Sequence, residues 1–378
     1  VRILALEPFY GGSHRAFLDR WREGSRHRFT LLTLPPYKWK WRMRHGAVTF
    51  AEEVRRRCAA GDGWDLLFAS DMLDLATFRG LAPAAVASLP AVAYFHENQL
   101  TYPVREEAEQ DLHFAFTNLT TALAADEVWW NSDFHRRELL EALPRLLERM
   151  PDHRPTEAVE ELRGRSRIYP QGVDDDLFRV RREPGRGRPL RILWAARWEH
   201  DKDPESFFRA LGIAAERGVD FRLNVIGESF REQPPVFADA RRRFADRIDR
   251  WGFQESRGEY LRALAESEVV VSTARHEFFG VSVVEAIAAG CRPLLPERLA
   301  YPELLAEVPA PRRGDFFYDG TPRALADRLA ELADAHRRGE LGGEDPGAAR
   351  RAVARFAWGR LRPRLDEAVE RVATPPPP

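Results

Sequence analysis

Two carboxylates and a glycine stand out in RHEFFGVSVVEAIAAG. The apolar run VVVSTA just before it reads as a strand, and a helix is expected to begin near Gly280. Glu277 then lies in the strand-to-helix loop, and Glu285 lies more than one turn into the helix. A helix start offers unpaired N–H groups and the positive end of its dipole, which suits a phosphate. Gly280 lets a ligand approach the backbone closely. A carboxylate on each side of that anion site could hold hydroxyls on either side of a diphosphate. An isolated E-x7-E is more often a loop charge and a solvated helix residue; here the glycine and the strand-to-helix setting favour a site.

RWEHDKDP holds the equivalent place after the strand RILWAA. Of 58 basic residues only Lys38, Lys40 and Lys202 are lysine, so the lysine following Arg197 here is conspicuous. An ammonium is a compact point charge and a guanidinium a planar fork. Arg197 and Lys202 could together stabilise negative charge developing on a leaving diphosphate; the alternative is a surface pair on a polar loop. In EPFYGGSH, Gly11 and Gly12 can bring backbone N–H groups to an anion, although such pairs are mostly turns. His96, in FHENQLTYP, follows a strand end and would face the same cleft. YKWKWRMRH interleaves aromatics with cations, as a single-stranded nucleic-acid platform does. The competing reading is an amphipathic edge strand with its Trp residues packed inward.

These motifs must be positioned by a chain of 378 residues, long enough for two domains. The formal net charge is −1, which gives no overall basic field for nucleic acid, so any RNA contact must be a local patch. Cys58 and Cys291 stand alone, which disfavours a disulfide framework or a Cys-based zinc site and fits a reducing, cytoplasmic setting. No apolar run approaches a membrane span, and the N-terminal VRILALEPF reads as a strand with no room for a signal peptide. Short apolar runs alternate with amphipathic stretches throughout, which predicts parallel sheets with covered faces. The expected architecture is α/β: two Rossmann-like, doubly wound domains facing across a cleft. The first spans 1–180, RREPGRGRP marks a linker at 181–189, and the second spans 190–347. A last helix over 348–372 would cross back to the first domain, and 373–378 is a tail.

The second half resembles a retaining glycosyltransferase of the GT4 type with the GT-B fold. The resembling residues are Arg197 and Lys202, Gly227 in VIGES, Gly252 and Phe253 in WGF, and Glu277, Gly280 and Glu285. EPFYGGSH, LPPYKWKWRMRH, FHENQLTYP and PDHRP resemble a narrower group, the tRNA-queuosine α-mannosyltransferase family. The resemblance covers nearly the whole chain. It implies that Arg197 and Lys202 hold the donor diphosphate, that Glu277 contacts the sugar hydroxyls, and that Glu285 binds the ribose. Phe279, Gly280 and Val281 would border the donor, with backbone N–H groups of Gly280 and Val281 on phosphate or sugar. Gly11 and Gly12 would lie near the transferred sugar and phosphate, and His96 beside the sugar. Catalysis would fall to His96, Arg197, Lys202 and Glu277 without a side-chain nucleophile, the leaving phosphate taking the acceptor's proton. Asp174, Asp175 and Asp176 look like a metal cluster, but the resemblance places them in a turn and implies no catalytic metal. Ser282 departs from the apolar residue usual in relatives.

The resemblance also implies GDP-mannose as donor and the queuosine cyclopentenediol in a tRNA anticodon as acceptor, although nothing in the residues separates GDP from UDP or ADP. Tyr37, Lys38, Trp39, Lys40, Trp41, Arg42 and Arg44 would then meet the tRNA. Two other readings stand beside this one. A GT4 enzyme could use a lipid or small-molecule acceptor, since FHRRELLEALPRLLERM has an apolar face of Phe134, Leu139, Leu140, Leu143 and Leu147. Alternatively the chain could bind a nucleotide-sugar without turning it over.

Overall fold

The structure is a computed structural model in which residues 1–103, 111–181, 187–229 and 233–374 are described. Most of the linker expected at 181–189 and the terminal prolines lie outside them. The chain forms two compact units, Val1–Gly172 with Trp358–Pro378, and Val173–Ala357.

In the first unit the elements run β1 (Arg2–Glu7), α1 (Gly12–Gly24), β2 (Arg28–Thr33), α2 (Trp39–Ala59), β3 (Leu66–Ser70), α3 (Leu75–Leu81), α4 (Ala84–Ala87), β4 (Ala91–Phe95), α5 (Leu112–Leu123), β5 (Glu127–Trp130), α6 (Asp133–Glu148), α7 (Glu157–Arg165) and β6 (Ser166–Ile168). The second unit follows with β7 (Leu190–Ala195), α8 (Pro204–Glu216), β8 (Phe221–Ile226), α9 (Val236–Arg243), β9 (Ile248–Gly252), α10 (Arg257–Glu266), β10 (Val269–Val271), α11 (Val281–Ala288), β11 (Arg292–Pro296), α12 (Tyr301–Leu304), α13 (Ala310–Arg313), β12 (Phe317–Tyr318), α14 (Pro322–Arg338) and α15 (Ala348–Val353). The last helix, α16 (Trp358–Ala373), belongs to the first unit.

Each unit is one six-stranded sheet, ordered β2-β1-β3-β4-β5-β6 and β12-β11-β10-β7-β8-β9. All the pairings are parallel. Parallel strands covered on both faces must be apolar throughout, and LLFAS of β3 and AVAYF of β4 are buried at every position. The strand order reverses between β1 and β3 in one sheet and between β7 and β10 in the other. Loops leaving the carboxyl ends of two such strands diverge and open a crevice, the usual ligand position in doubly wound sheets.

The unit boundaries differ from those read in the sequence. Residues 173–181 and 348–357 pack with the second unit, because Val173 and Leu177 share an apolar cluster with Val353 and Phe356. The Val173 N–H bonds the Phe356 carbonyl at 2.9 Å. The Arg350 guanidinium donates to the carbonyls of Leu177 and Val180, fixing the segment further. The helix expected over 348–372 is therefore interrupted at 354–357, with α15 in one unit and α16 in the other.

Helix α16 is bound to its unit by a buried carboxylate. Asp366 is 3% exposed and accepts hydrogen bonds from Trp21 Nε1 (2.8 Å), Ser25 Oγ (2.7 Å) and the Arg26 N–H (3.0 Å). Leu361, Leu365, Ala368 and Val369 of α16 pack in a cluster with Ile3, Phe17 and Trp21. Asp366→Ala would leave three donors without their acceptor. We expect it to lower stability by about 2–4 kcal/mol, read as a lower urea midpoint, with a larger loss than Glu370→Ala on the exposed side of the same helix.

Candidate functional site

In the second unit the crevice between β7 and β10 gathers the residues singled out by pattern. Pro204 starts α8, and Asp203 caps it from the left-handed region (φ 49°), its carboxylate accepting the Ser206 N–H. The Thr273 hydroxyl donates to the Lys202 carbonyl at 2.8 Å, which anchors the turn to the end of β10. So held, Lys202 is nearly buried. Its Nζ donates to the His276 carbonyl at 2.8 Å and the Glu277 carboxylate at 3.3 Å, and pairs with Asp201 at 2.9 Å. Burial, then the neighbouring Lys202 charge, depresses His276 to about 4, so its ring adds no charge near neutral pH. Arg197 lies in the same loop, half-exposed and paired with Glu199 at 3.2 Å.

Gly280 caps α11 with φ 91°, a left-handed geometry that favours glycine. A Cβ there would meet Tyr301 at 3.2 Å. The Ser282 hydroxyl donates to the Ala195 carbonyl at 2.6 Å, so this departure from the usual apolar residue ties the start of α11 to the end of β7. Val281 begins the helix, while the Phe279 side chain is buried edge-on against Phe356 and its N–H points at the Glu277 carboxylate at 3.5 Å. Glu285 has a separate set of partners. It accepts the Tyr260 hydroxyl at 2.6 Å and Arg257 at 2.9 Å, and Arg257 also holds Asp174 at 2.8 Å. Burial, then the Glu285 charge, raises the Tyr260 phenol far above its ordinary value, so it stays a donor. Asp176 pairs with Arg179, so the Asp174–Asp176 run does not converge on one point.

Gly227, after β8, has φ 150°, and a Cβ there would sit 1.8 Å from the Ala196 carbonyl oxygen. Its N–H bonds the Gly252 carbonyl. Gly252 ends β9 with φ 90°, and Phe253 next to it is 60% exposed.

The first unit carries its own cluster at the carboxyl ends of β1, β3 and β4. Gly11 precedes α1 against Pro36, and Gly12 (φ 50°) has open space where a Cβ would be. Glu7 Oε1 accepts the Phe9 N–H and the Ser70 hydroxyl, and its other oxygen meets His14 Nδ1 at 3.0 Å. The His14 ring stacks on His96, with centroids 3.9 Å apart and planes 27° apart. The Gln171 amide donates to His96 Nδ1 at 2.7 Å, so the His96 proton resides on Nε2. The His96 N–H donates to Asp71, whose other oxygen is buried without a partner among the described residues.

Burial alone would lower His14, but the charge and hydrogen bond of Glu7, with Asp71 and Glu97 beyond, raise it to about 9. Burial, then the His14 charge, holds His96 well below the ordinary imidazole range. Burial pushes the Asp71 carboxyl up to about 8, against the pull of His14. Two cations about 4 Å apart repel by about 4 kcal/mol at an effective dielectric of 20, so the stacked pair carries one charge. Glu7, His14 and His96 put ligand-type atoms within 4.8 Å of one another. His14 Nδ1 and His96 Nδ1 are already engaged by Glu7 and Gln171, so the cluster suits hydrogen bonding better than metal.

The sequence reading found His96, Gly11 and Gly12 here but missed Glu7, His14 and Asp71. The signal was in EPFYGGSH, a carboxylate at a strand end and a histidine in the first turn of the next helix.

The aromatic and basic segment is the start of helix α2, not an edge strand. Lys38 stands before it with φ 55°. Tyr37 and Trp41 are 59% and 61% exposed. Lys38 and Lys40 are exposed beside them, and Lys40 lies over the Trp39 ring. Trp39 packs against Phe114, and the exposed Arg44 lies over the same Phe114 ring. Arg42 is buried, bonded to the Pro35 carbonyl and stacked on Tyr37, so it supports the surface from beneath.

Residues 2–173 match the family described as tRNA-queuosine alpha-mannosyltransferase N-terminal, and residues 145–315 match family 4 glycosyltransferase in conflict systems. The chain is 37% identical to a tRNA-queuosine alpha-mannosyltransferase of Drosophila melanogaster, over 80% of this chain and 81% of that protein. It is 28% identical to a GDP-mannose-dependent alpha-(1-6)-phosphatidylinositol dimannoside mannosyltransferase of Mycobacterium tuberculosis, over 50% of this chain and 48% of that one. The crystal structure of Anabaena HepE in complex with UDP superposes with a TM-score of 0.67 at 16% identity, over 98% of this chain and 100% of the other. The two doubly wound sheets are those of the GT-B fold.

Gly227 offers a direct check on the second unit. Gly227→Ala would drive a methyl group into the Ala196 carbonyl beside Arg197. We expect reduced stability and at least a tenfold loss of nucleotide affinity, whereas Gly218→Ala, a left-handed glycine with open space around it, should leave affinity unchanged. Calorimetry of the two variants reads the difference.

Proposed function

We propose that this chain, which belongs to the tRNA-queuosine α-mannosyltransferase family, moves a hexose from a nucleotide-sugar to queuosine or its precursor in tRNA, with retention of configuration. The observation that carries the reading is Lys202, seated against Glu277 at the crevice between β7 and β10 with the Gly280 helix start beside it. A diphosphate at that helix start would draw the Lys202 ammonium and Arg197 toward it, compensating the charge that develops as the glycosidic bond breaks. Glu277 would take hydroxyls of the sugar, and Glu285 the ribose diol. The leaving phosphate would accept the proton of the attacking acceptor hydroxyl, so neither carboxylate acts as a nucleophile. GDP-mannose is the proposed donor, as it is for the GDP-mannose-dependent mycobacterial relative. No metal is assigned a step.

The exposed Tyr37 and Trp41, with Lys38, Lys40 and Arg44 near them, would meet the anticodon loop, aromatics under unpaired bases and cations on phosphates. The lipid alternative loses its feature: Leu139, Leu140, Leu143 and Leu147 of α6 are buried in the core of the first unit. No helix among the described residues is long and apolar enough to cross a membrane.

The test is transfer from GDP-mannose, and separately from UDP-glucose, to tRNA with and without queuosine, followed by digestion and mass measurement of the nucleosides. The expected result is one hexose gained only on queuosine or its precursor. Mass gained on a lipid extract instead would remove the tRNA assignment, and donor binding without any turnover would make the chain a binder. Lys202→Ala and Glu277→Ala should each lower turnover by about 10²–10³ or more with the fold intact; near-wild-type turnover in either would refute the site. Tyr37→Ala and Trp41→Ala should each weaken tRNA binding by roughly 5- to 100-fold, the range of a lost stacking contact, and leave donor affinity unchanged.

A further inference from the structure

The cluster in the first unit contains a histidine that the proposed transfer does not yet use. His14 is buried on α1, bonded through Nδ1 to Glu7 and laid flat against His96. His96 is fixed from three sides. Gln171 donates to its Nδ1, Asp71 accepts its backbone N–H, and Asn131 donates to its carbonyl. Among the described residues the ring therefore keeps one polar atom without a partner, Nε2. A neutral ring gives an Nε2–H that can donate to a hydroxyl. A doubly protonated ring would turn Nδ1 into a second donor, set against the Gln171 amide that also donates, and the ring would lose its anchor.

We propose that His14 is a positioning residue, a Glu7-held imidazolium whose stacked contact fixes His96 as a neutral ring donating from Nε2 to a hydroxyl of the transferred hexose. The idea rests on the hexose transfer proposed above, but its protonation pattern belongs to the free protein. The charge on His14 is set by what surrounds it: Glu7 from the end of β1, Asp71 from beyond β3 and Glu97 from beyond β4. His96 faces the His14 and His135 rings, the Tyr94 ring and the Asp71 carboxyl. Of these groups only His14 is in ring-to-ring stacking contact with His96, so its charge acts most directly on that ring. The sign follows. Removing the charge of His14 lets the midpoint of His96 rise toward the ordinary imidazole value of about 6.5, so His96 takes a second proton at higher pH than it does in the native protein.

The experiment has two readings. Long-range ¹H–¹⁵N spectra of the full chain labelled at histidine, without donor, should show His14 protonated on both nitrogens at pH 7. They should show His96 neutral and protonated on Nε2 from pH 8 down to pH 5.5. In His14→Gln, which keeps a hydrogen bond to Glu7 without the charge, the His96 midpoint should rise by at least one pH unit. Hexose transfer by that variant should lose at least tenfold more turnover on going from pH 8 to pH 6 than wild type does. A neutral His14 at pH 7, a His96 proton on Nδ1, or an unchanged pH profile in His14→Gln would overturn the proposal. If the variant does not fold, the wild-type spectra decide alone. If the chain transfers no hexose, the spectra still report on the stacked pair, which separates this failure from that of the transfer reading.

Discussion

Each sheet begins in its middle, and the rest of the chemistry depends on that. β1 lies between β2 and β3, and β7 between β8 and β10, so successive connections leave these first strands on opposite sides. The loops after β7 and β10 cannot close over one another, and the gap between them is where Lys202 meets Glu277, 75 positions further along the chain. The same reversal in the first unit brings Glu7 from β1 beside Ser70 and Asp71 from β3. Neither cluster could be built from one segment of chain.

The charges in the second crevice are arranged for an anionic guest. Lys202 is held by Asp201 and Glu277, and Arg197 stands half-exposed in the same loop beside Glu199, so both cations are in position before a ligand arrives. Carboxylates drawn out of water are costly unless paired, and Lys202 pairs with the nearly buried Asp201 and the partly exposed Glu277. Glu285 is managed separately, with Arg257 and Tyr260 on its two oxygens. A nucleotide would add a diphosphate near the Lys202 and Arg197 charges and the helix start, and a diol near Glu285. The protein thus holds its cation and its two carboxylates in separate, pre-set positions, which limits reorganisation as charge moves to the leaving phosphate.

Much of this was legible in the sequence. Alternating apolar and amphipathic runs gave two doubly wound sheets, and the Glu277–Gly280–Glu285 spacing gave a carboxylate on each side of a helix start. Strand order was not legible, because periodicity says that a strand is buried but not which neighbour it joins. The unit boundaries were misplaced for a related reason. Val173 and Leu177 look like the tail of the first half until Val353 and Phe356 arrive to cover them. The amphipathic alternation of YKWKWRMRH allowed a strand, but Met43, Ala47 and Phe50 continue a helical stripe that packs inward and carries the segment with it. His14 escaped notice because its significance lies in Glu7 and His96, and only the fold brings the three together.

The most direct test of the account is calorimetric titration of GDP-mannose, GDP and UDP into the wild-type chain and into Glu285→Ala. The account requires that the wild type bind a nucleoside diphosphate and that loss of Glu285, which would hold the ribose, weaken all three ligands by a similar factor of at least tenfold. Equal affinities in wild type and variant would contradict the placement of the nucleotide in the crevice of the second unit.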